Sequence, residues 1–419
     1  MRISTNEFLL AATNDMLAQQ SNVNQLNREI ATGETMLSAT ADPSGASQAI
    51  GDASTIARFN YDTSNAQAAT QSLQNGVSVL TQVGTVLAQL LQTAEQAANG
   101  TIAPGERQSL AAEAQGALQQ LLQLANSQTA GGNYLFSGSK VATVPYSALP
   151  NGQVLYNGDA STNVIEIAPS LSVLSSLSGS GIFTGIPAGA QGLAVTAASS
   201  NSGGAYAVAE SIVNGSQFSA AQLAGTQYAI SFAAGPNGSL TYAVASGTGS
   251  PGSAGFTATS GVVASGSFTG GSDLVFGGVD IRINGTPAAG DTFNVQTNAT
   301  TSMFQNVQNL VSTLQSNPAG SAANAQYQQQ IQNVLANLGA AQNSTLSAQA
   351  TLGSNLSEIS AVKGEVTNLY TNAQTDLSNL QSANLPQVMA NYSESLTALQ
   401  AAQLAFAKVQ NLTLFSFIH

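Results

Sequence analysis

Residues 9–37 read LLAATNDMLAQQSNVNQLNREIATGETML, and within them Leu9, Met16, Val23, Ile30 and Leu37 recur at every seventh position, with Ala12 and Leu26 on the flanking stripe. A seven-residue apolar repeat draws one narrow seam along a helix, the pattern of helices that pack along their length. The repeat gives way to Ser38-Ala39-Thr40-Ala41-Asp42-Pro43-Ser44-Gly45, where Pro43 bars Asp42 from helical geometry and Gly45 permits a turn. A second register then runs through Phe59, Ala66, Leu73, Leu80, Leu87 and Ala94. It predicts a single helix from about 46 to 99, far beyond the mean of about 11 residues in compact proteins.

Asn99-Gly100-Thr101 stops that helix, and Pro104 with Glu106 suits the first turn of the next. Its stripe of Leu110, Ala114, Ala117, Leu121 and Leu124 predicts a helix to about Ala130, ahead of Gly131-Gly132. Between 133 and 300 the period changes. Gly and Pro concentrate there, and runs such as 153–159, 227–232, 274–276 and 279–285 read as short strands between turns. Helical spacing returns after Thr300, first through Met303, Val307, Leu310 and Leu314. Ile331, Leu338, Leu352, Ile359, Val366, Ala373 and Leu380 then share one heptad phase, broken only by Thr345. Beyond that a new phase carries Leu385, Tyr392, Leu399 and Phe406, with Val388, Ala402 and Val409 beside it and an apolar end that includes Leu414.

The predicted class is α+β: a long, coiled-coil-like helical bundle made by the N- and C-terminal segments, with an all-β domain inserted between them. Residues 1–45 and 385–419 form the axial helical region, 46–132 and 301–384 the two halves of a helical rod domain, and 133–300 the β insert. The seams admit two readings. They are the core of the chain's own bundle, or, for the outer segments 1–37 and 386–419, surfaces that pack on other subunits.

Composition narrows the chemistry. With 8 Lys and Arg against 20 Asp and Glu, the net charge of −12 argues against nucleic acid or an anionic membrane face as partner. No Cys is present, and the single His is His419. Thiol and imidazole catalysis, and the metal sites that use those groups, are thereby removed; carboxylate pairs alone remain possible, and no cofactor, metal or enzymatic activity is expected. The first residues lack a cationic start followed by a long apolar core, so no cleaved leader is expected.

Several polar residues invite sharper readings that simpler ones outweigh. Asp273, Asp280 and Asp291 lack the acidic alternation of a calcium loop and read as solvated strand-end carboxylates. Glu106 and Glu113 share a helix face and read as surface charge, while Lys363 falls on the apolar stripe, where its stem can pack. A glycan-binding insert would need an exposed aromatic platform, for which Tyr206, Phe218 and Tyr228 are candidates.

Particular strings carry a family resemblance. They include Met1-Arg2-Ile3-Ser4-Thr5, the Ala31-Thr32-Gly33 turn followed by Asp42-Pro43, then Arg107 and Leu124-Ala125-Asn126. The most specific is Asn133-Tyr134-Leu135-Phe136-Ser137-Gly138, joined by Tyr156-Asn157-Gly158-Asp159, Gly181-Ile182-Phe183 and Gly290-Asp291-Thr292-Phe293-Asn294-Val295. At the far end stand Thr397-Ala398-Leu399-Gln400-Ala401 and Lys408-Val409-Gln410-Asn411-Leu412. Together these resemble the hook-filament junction proteins of bacterial flagella, within the flagellin superfamily. Residues 184–261 lie outside the resemblance, and Pro386 departs from it, which suggests a kink.

The resemblance implies a structural, secreted flagellar subunit that self-associates in a ring or tube. It further implies a FlgK-like junction protein on the hook side, flagellin on the filament side, and type III export with a FlgN-like chaperone. A flagellin proper is the near alternative, and a secreted adhesin or carbohydrate-binding fibre protein the alternative from another class. The assembly interface expected is Leu9, Met16, Val23, Ile30 and Leu37 against Tyr392, Leu399, Phe406, Val409 and Leu414.

Overall fold

The computed structural model describes residues 2–35, 42–100, 102–150, 152–169, 171–174, 176–249 and 256–415. Three helices open the chain: α1 (Arg2–Thr32), α2 (Pro43–Ala97) and α3 (Pro104–Ala125). Short strands follow: β1 (Tyr146–Ala148), β2 (Val154–Tyr156), β3 (Val164–Ala168), β4 (Leu171–Leu174), β5 (Ile186–Pro187), β6 (Ala194–Ala197) and β7 (Tyr206–Ile212). Helix α4 (Gly215–Leu223) precedes β8 (Gln227–Ala234), β9 (Leu240–Thr248), β10 (Thr257–Phe268), β11 (Asp273–Phe276), β12 (Val279–Asn284), β13 (Thr292–Gln296) and β14 (Thr300–Thr301). Helices α5 (Met303–Gln315), α6 (Ser321–Gln381) and α7 (Leu385–Phe415) complete it. The chain forms two compact units, Met1–Ser64 with Ala361–His419, and Asn65–Ser360.

The α2 heptad phase is buried throughout and the α6 phase as far as Val366, with Ala373 and Leu380 half-buried. Phe59, Ala66, Leu73, Leu80, Leu87 and Ala94 of α2 are all buried, as are Ile331, Leu338, Leu352, Ile359 and Val366 of α6. By length and composition α2 is apolar enough to cross a membrane, but its regularly spaced buried stripe is that of a core helix. Thr345 keeps the α6 phase despite its hydroxyl, which donates to the Ala341 carbonyl at 2.8 Å and so is satisfied within the helix.

The second unit also holds a β sandwich. Its five-stranded antiparallel sheet has the order β10-β9-β8-β13-β6 and its three-stranded sheet the order β11-β12-β7. Strand β12 alternates buried Val279, Ile281 and Ile283 with half-buried Asp280, Arg282 and Asn284, so one face feeds the core. That core gathers Tyr228, Ile230, Phe232, Phe268, Phe276 and Phe293. Arg282 pairs with Glu210 at 3.2 Å and Asp273 at 2.8 Å, on a face open enough to water that the pairs add little.

Local details differ from the sequence expectation, each for a physical reason. The insert is not all-β, because α4 lies within it. Asn214 caps that helix by accepting the Gln217 N–H at 3.1 Å, and only Phe218 and Ala221 anchor it in the core, too few to draw a period. Helix α2 starts at Pro43 rather than near 46, with Gly45 inside its first turn, because the Asp42 carboxylate accepts from Gly45 N–H and Ser44 Oγ, both at 2.9 Å. Those bonds hold the Asp42 pKa below its ordinary value. Helix α3 ends at Ala125, short of 130, because Asn126 leaves the helix to pair with Tyr146, donating to its carbonyl and accepting its N–H, each at 2.9 Å.

Pro386 produces a clean break rather than a kink: α6 stops at Gln381 and Pro386 sits in the first turn of α7, where its missing N–H costs nothing. Lys363 is exposed, in keeping with a head group in water. Asp291 is 2% exposed, not solvated, and its carboxylate accepts backbone N–H groups of Ser202 at 2.8 Å, Gly203 at 3.1 Å and Ala288 at 2.8 Å. It is a buried tie between two loops.

Candidate assembly elements

Helices α1 and α7 lie antiparallel in the first unit. The Gly33 carbonyl accepts from Ala383 N–H at 3.0 Å, and an antiparallel bridge joins Glu34 to Ser382. Further along, Gln19 Nε2 donates to the Ser395 carbonyl at 3.4 Å and Asn22 Nδ2 to Ser395 Oγ at 3.3 Å. Gly33 makes this turn possible: its φ of +74° closes α1 with a left-handed residue, its N–H returning to the Glu29 carbonyl at 2.8 Å.

The expected seam residues within the described part of the chain lie on α1 and α7. Val23 and Leu399 are buried, and Leu9, Met16, Ile30, Tyr392 and Phe406 are half-buried. Leu26 and Val388 extend the stripe. Leu385, counted in the same phase, is exposed at the start of α7. Leu37 lies outside the described residues, and the side chains of Val409 and Leu414 are likewise outside them. The seam periodicity did not reveal a second set of apolar side chains that stays in water: Leu10 and Leu17 on α1 are each 60% exposed, and Met389 and Leu404 on α7 are 57% and 67% exposed. Each pair of helices needs more than one buried face to be stable, since an isolated two-helix seam buries little.

The strings at 133–138, 156–159 and 181–183 meet in the second unit. Leu135, Phe136 and Ser137 are buried. Phe136 packs edge-on against Phe183 with ring centroids 5.1 Å apart, and Tyr146 lies 5.5 Å from Phe183 and 5.0 Å from Phe304. Burial pushes the Tyr146 phenol up, which keeps it neutral. Gly138 has φ +70°, and a Cβ there would overlap Asp159, so glycine is required twice over. Asp159 uses its carboxylate on Ser139, accepting N–H at 2.8 Å and the hydroxyl, and on Ser161 N–H at 3.2 Å. These bonds from Ser139 first, then Ser161, depress its pKa.

Tyr156 OH, 3.0 Å from the Phe136 carbonyl and 2.9 Å from that of Asp159, closes the knot. Asn133 is exposed and Tyr134 half-buried at its edge. Arg107 ties a separate corner: it donates to the Ile102 carbonyl at 3.4 Å and to Asn317 Oδ1 at 3.3 Å, with its guanidinium 6.0 Å from the Tyr327 ring centre. Leu135, Phe136, Ser137 and Gly138 are buried within the aromatic packing. The aromatic platform is not formed, because Phe218 and Tyr228 are 1% and 5% exposed in the sandwich core.

One group that no sequence spacing marked is Gln329, 3% exposed on α6. Its Oε1 accepts the Ala207 N–H at 2.7 Å, and its Nε2 reaches the Ala207 carbonyl at 2.9 Å and the Val195 carbonyl at 3.2 Å. A single side-chain amide thereby fastens the outer edges of β6 and β7 to the helix.

Known proteins share several of these features. A family model, bacterial flagellin N-terminal helical region, matches residues 3–141. Flagellar hook-associated protein 3 of Escherichia coli strain K12 is 33% identical over 147 residues, 35% of this chain and 46% of the relative. The chain spans about half the length of the curated relatives it matches. The crystal structure of hook associated protein-3 from Legionella pneumophila superposes with a TM-score of 0.71 at 28% identity, covering 78% of this chain and 98% of that one. Xanthomonas campestris FlgL gives 0.63 at 27% identity, covering 77% and 99%. Residues 3–141 are therefore similar to the flagellin N-terminal helical region, and the fold is similar to that of flagellar hook-associated protein 3.

Proposed function

We propose that the chain is a non-enzymatic structural subunit of the bacterial flagellum, outside the cell, acting as the adaptor between hook-side FlgK-like subunits and the flagellin filament. The observation that carries this reading is the α1–α7 pair, which buries one stripe internally and leaves Leu10, Leu17, Met389 and Leu404 in water. Copies packed around an axis cover that second stripe, and each such side chain contributes about 1–2 kcal/mol on burial. Residues 1–45 and 385–419 then form the axial region of a ring or tube.

Export through the type III apparatus, with a FlgN-like chaperone on the C-terminal helix, belongs to the same reading. A chain without cysteine threads such a channel unhindered by disulfides. Deleting the gene tests the assignment. Intact hooks with monomeric flagellin released into the medium are expected; loss of the filament subunit itself would instead make this chain a flagellin.

A further inference from the structure

In the first unit α6 stops at Gln381 and α7 begins at Leu385, so residues 382–384 are the whole connector between them. The chain leaving α1 passes alongside, with Glu34 opposite Ser382 in an antiparallel bridge. Two backbone bonds flank that pair: Thr35 N–H donates to the Gln381 carbonyl at 2.5 Å, and Ala383 N–H to the Gly33 carbonyl at 3.0 Å.

The last carbonyls of a helix have no partner within it. Here the carbonyl that closes α6 is taken by the chain leaving α1, and the carbonyl just past α1 by the chain leaving α6, so the two helix ends cap each other. Each chain then re-enters a helix at a polar cap followed by a proline. Asp42 and Pro43 start α2, and Asn384, whose Oδ1 accepts Gln387 N–H at 3.4 Å, stands before Leu385 and Pro386 at the start of α7. Capped helices keep their direction, so any change of angle between them falls on the few residues of the connectors. Glu34, Thr35 and Ser382 are exposed. A pair of backbone bonds open to water breaks far more readily than a buried helical seam.

We infer that the bridge of 33–35 with 381–383 is a latch on a two-stranded hinge. Closed, it holds the α1–α7 pair at one angle to the α2 and α6 segments of the same unit. Open, it lets α1 and α7 swing together as one lever, because the seam through Val23, Leu26, Val388 and Leu399 stays buried between them. Such a latch suits an adaptor whose axial helices meet two kinds of neighbour; that use rests on the function proposed above, whereas the latch itself does not.

The test uses the full chain as a monomer, which has no cysteine of its own. Glu34→Cys with Ser382→Cys should oxidise to an intramolecular disulfide, since opposed residues of this non-hydrogen-bonded kind stand about 4.5 Å apart at Cα. Spin labels at Asn372→Cys and Gln400→Cys read the distance from α6 to α7, and labels at Gln20→Cys and Gln400→Cys that from α1 to α7. Ala383→Pro removes the donor to Gly33 and Thr35→Pro the donor to Gln381. Each is expected to turn a single narrow α6–α7 distance into a broad distribution while the α1–α7 distance stays narrow. In the parent chain the Thr35 amide should exchange about five- to tenfold more slowly than an unbonded one, the worth of one hydrogen bond, and Ala383→Pro should abolish that protection. An α6–α7 distance unchanged by both proline variants, an α1–α7 distance that broadens with it, or no disulfide between 34 and 382 would each overturn the latch. All of this is read on the isolated chain, so its failure leaves the flagellar role standing, and failure of the gene-deletion test leaves the latch standing.

Discussion

Asn22 Nδ2 donates to Ser395 Oγ across 373 residues of chain at 3.3 Å, so the two terminal helices meet side by side in one molecule. Leu399, one turn beyond Ser395, is buried in the same seam. Leu399→Asp puts an unpaired carboxylate there and costs the α1–α7 pairing about 3 kcal/mol or more. Amide exchange in α1 and α7 should accelerate while protection in 65–360 is kept. On cells the variant should be secreted yet support no filaments; normal filaments would remove Leu399 from the assembly surface.

Gly138 combines a left-handed backbone with contact to Asp159. Gly138→Ala is expected to lose about 2–3 kcal/mol, read as a lowered thermal midpoint. Gly116, on the exposed side of α3 with open space around it, provides the contrast. Gly116→Ala should stabilise by about 0.5–1 kcal/mol.

Gln329→Leu keeps the volume and removes the amide that satisfies Ala207. The orphaned N–H and C=O of Ala207 make the change cost about 3 kcal/mol. Faster exchange of the Ala207 amide, with the α2 and α6 core unchanged, is the expected signature. An unaltered rate would mean that β7 needs no help from α6.

Two carboxylates respond to acid with opposite sign. Asp159 is depressed in the folded protein by its bonds to Ser139 and Ser161, so its contribution is complete above the ordinary carboxylate value and is lost as pH falls through the lower folded value. Exchange at the Ser139 amide should rise over that acid range, and Asp159→Asn should remove the dependence. Asp280 is raised by burial, then by the charges of Asp273 and Glu210, so ionising it opposes folding above its raised value. Asp280→Asn is therefore expected to stabilise at neutral pH and to have little effect in acid, measured by denaturant midpoints at pH 7 and pH 3.

Much of the fold was legible residue by residue. The α2 phase through Phe59 to Ala94 and the α6 phase through Ile331 to Val366 are buried as the seven-residue spacing requires, because a helix brings every seventh side chain to one face whatever surrounds it. Strands β8, β11 and β12 were legible from alternation for the same reason. The Tyr134–Gly138 string marked a turn out of helical spacing, although its partners Asp159 and Phe183 could not be read from it.

What the sequence by itself determined is thus the set of local periods, with long helices towards both ends and a β region between them, on a chain of low charge without cysteine. Only the tertiary structure decided which stripe α1 and α7 bury and which they leave in water, that Asp291 is an interior tie, that α4 exists, and that Gln329 reaches Ala207 and Val195. Those outcomes depend on hydrogen bonds and contacts between residues up to hundreds of positions apart. A backbone amide 122 residues from Gln329 leaves no trace in the spacing of the residues around it.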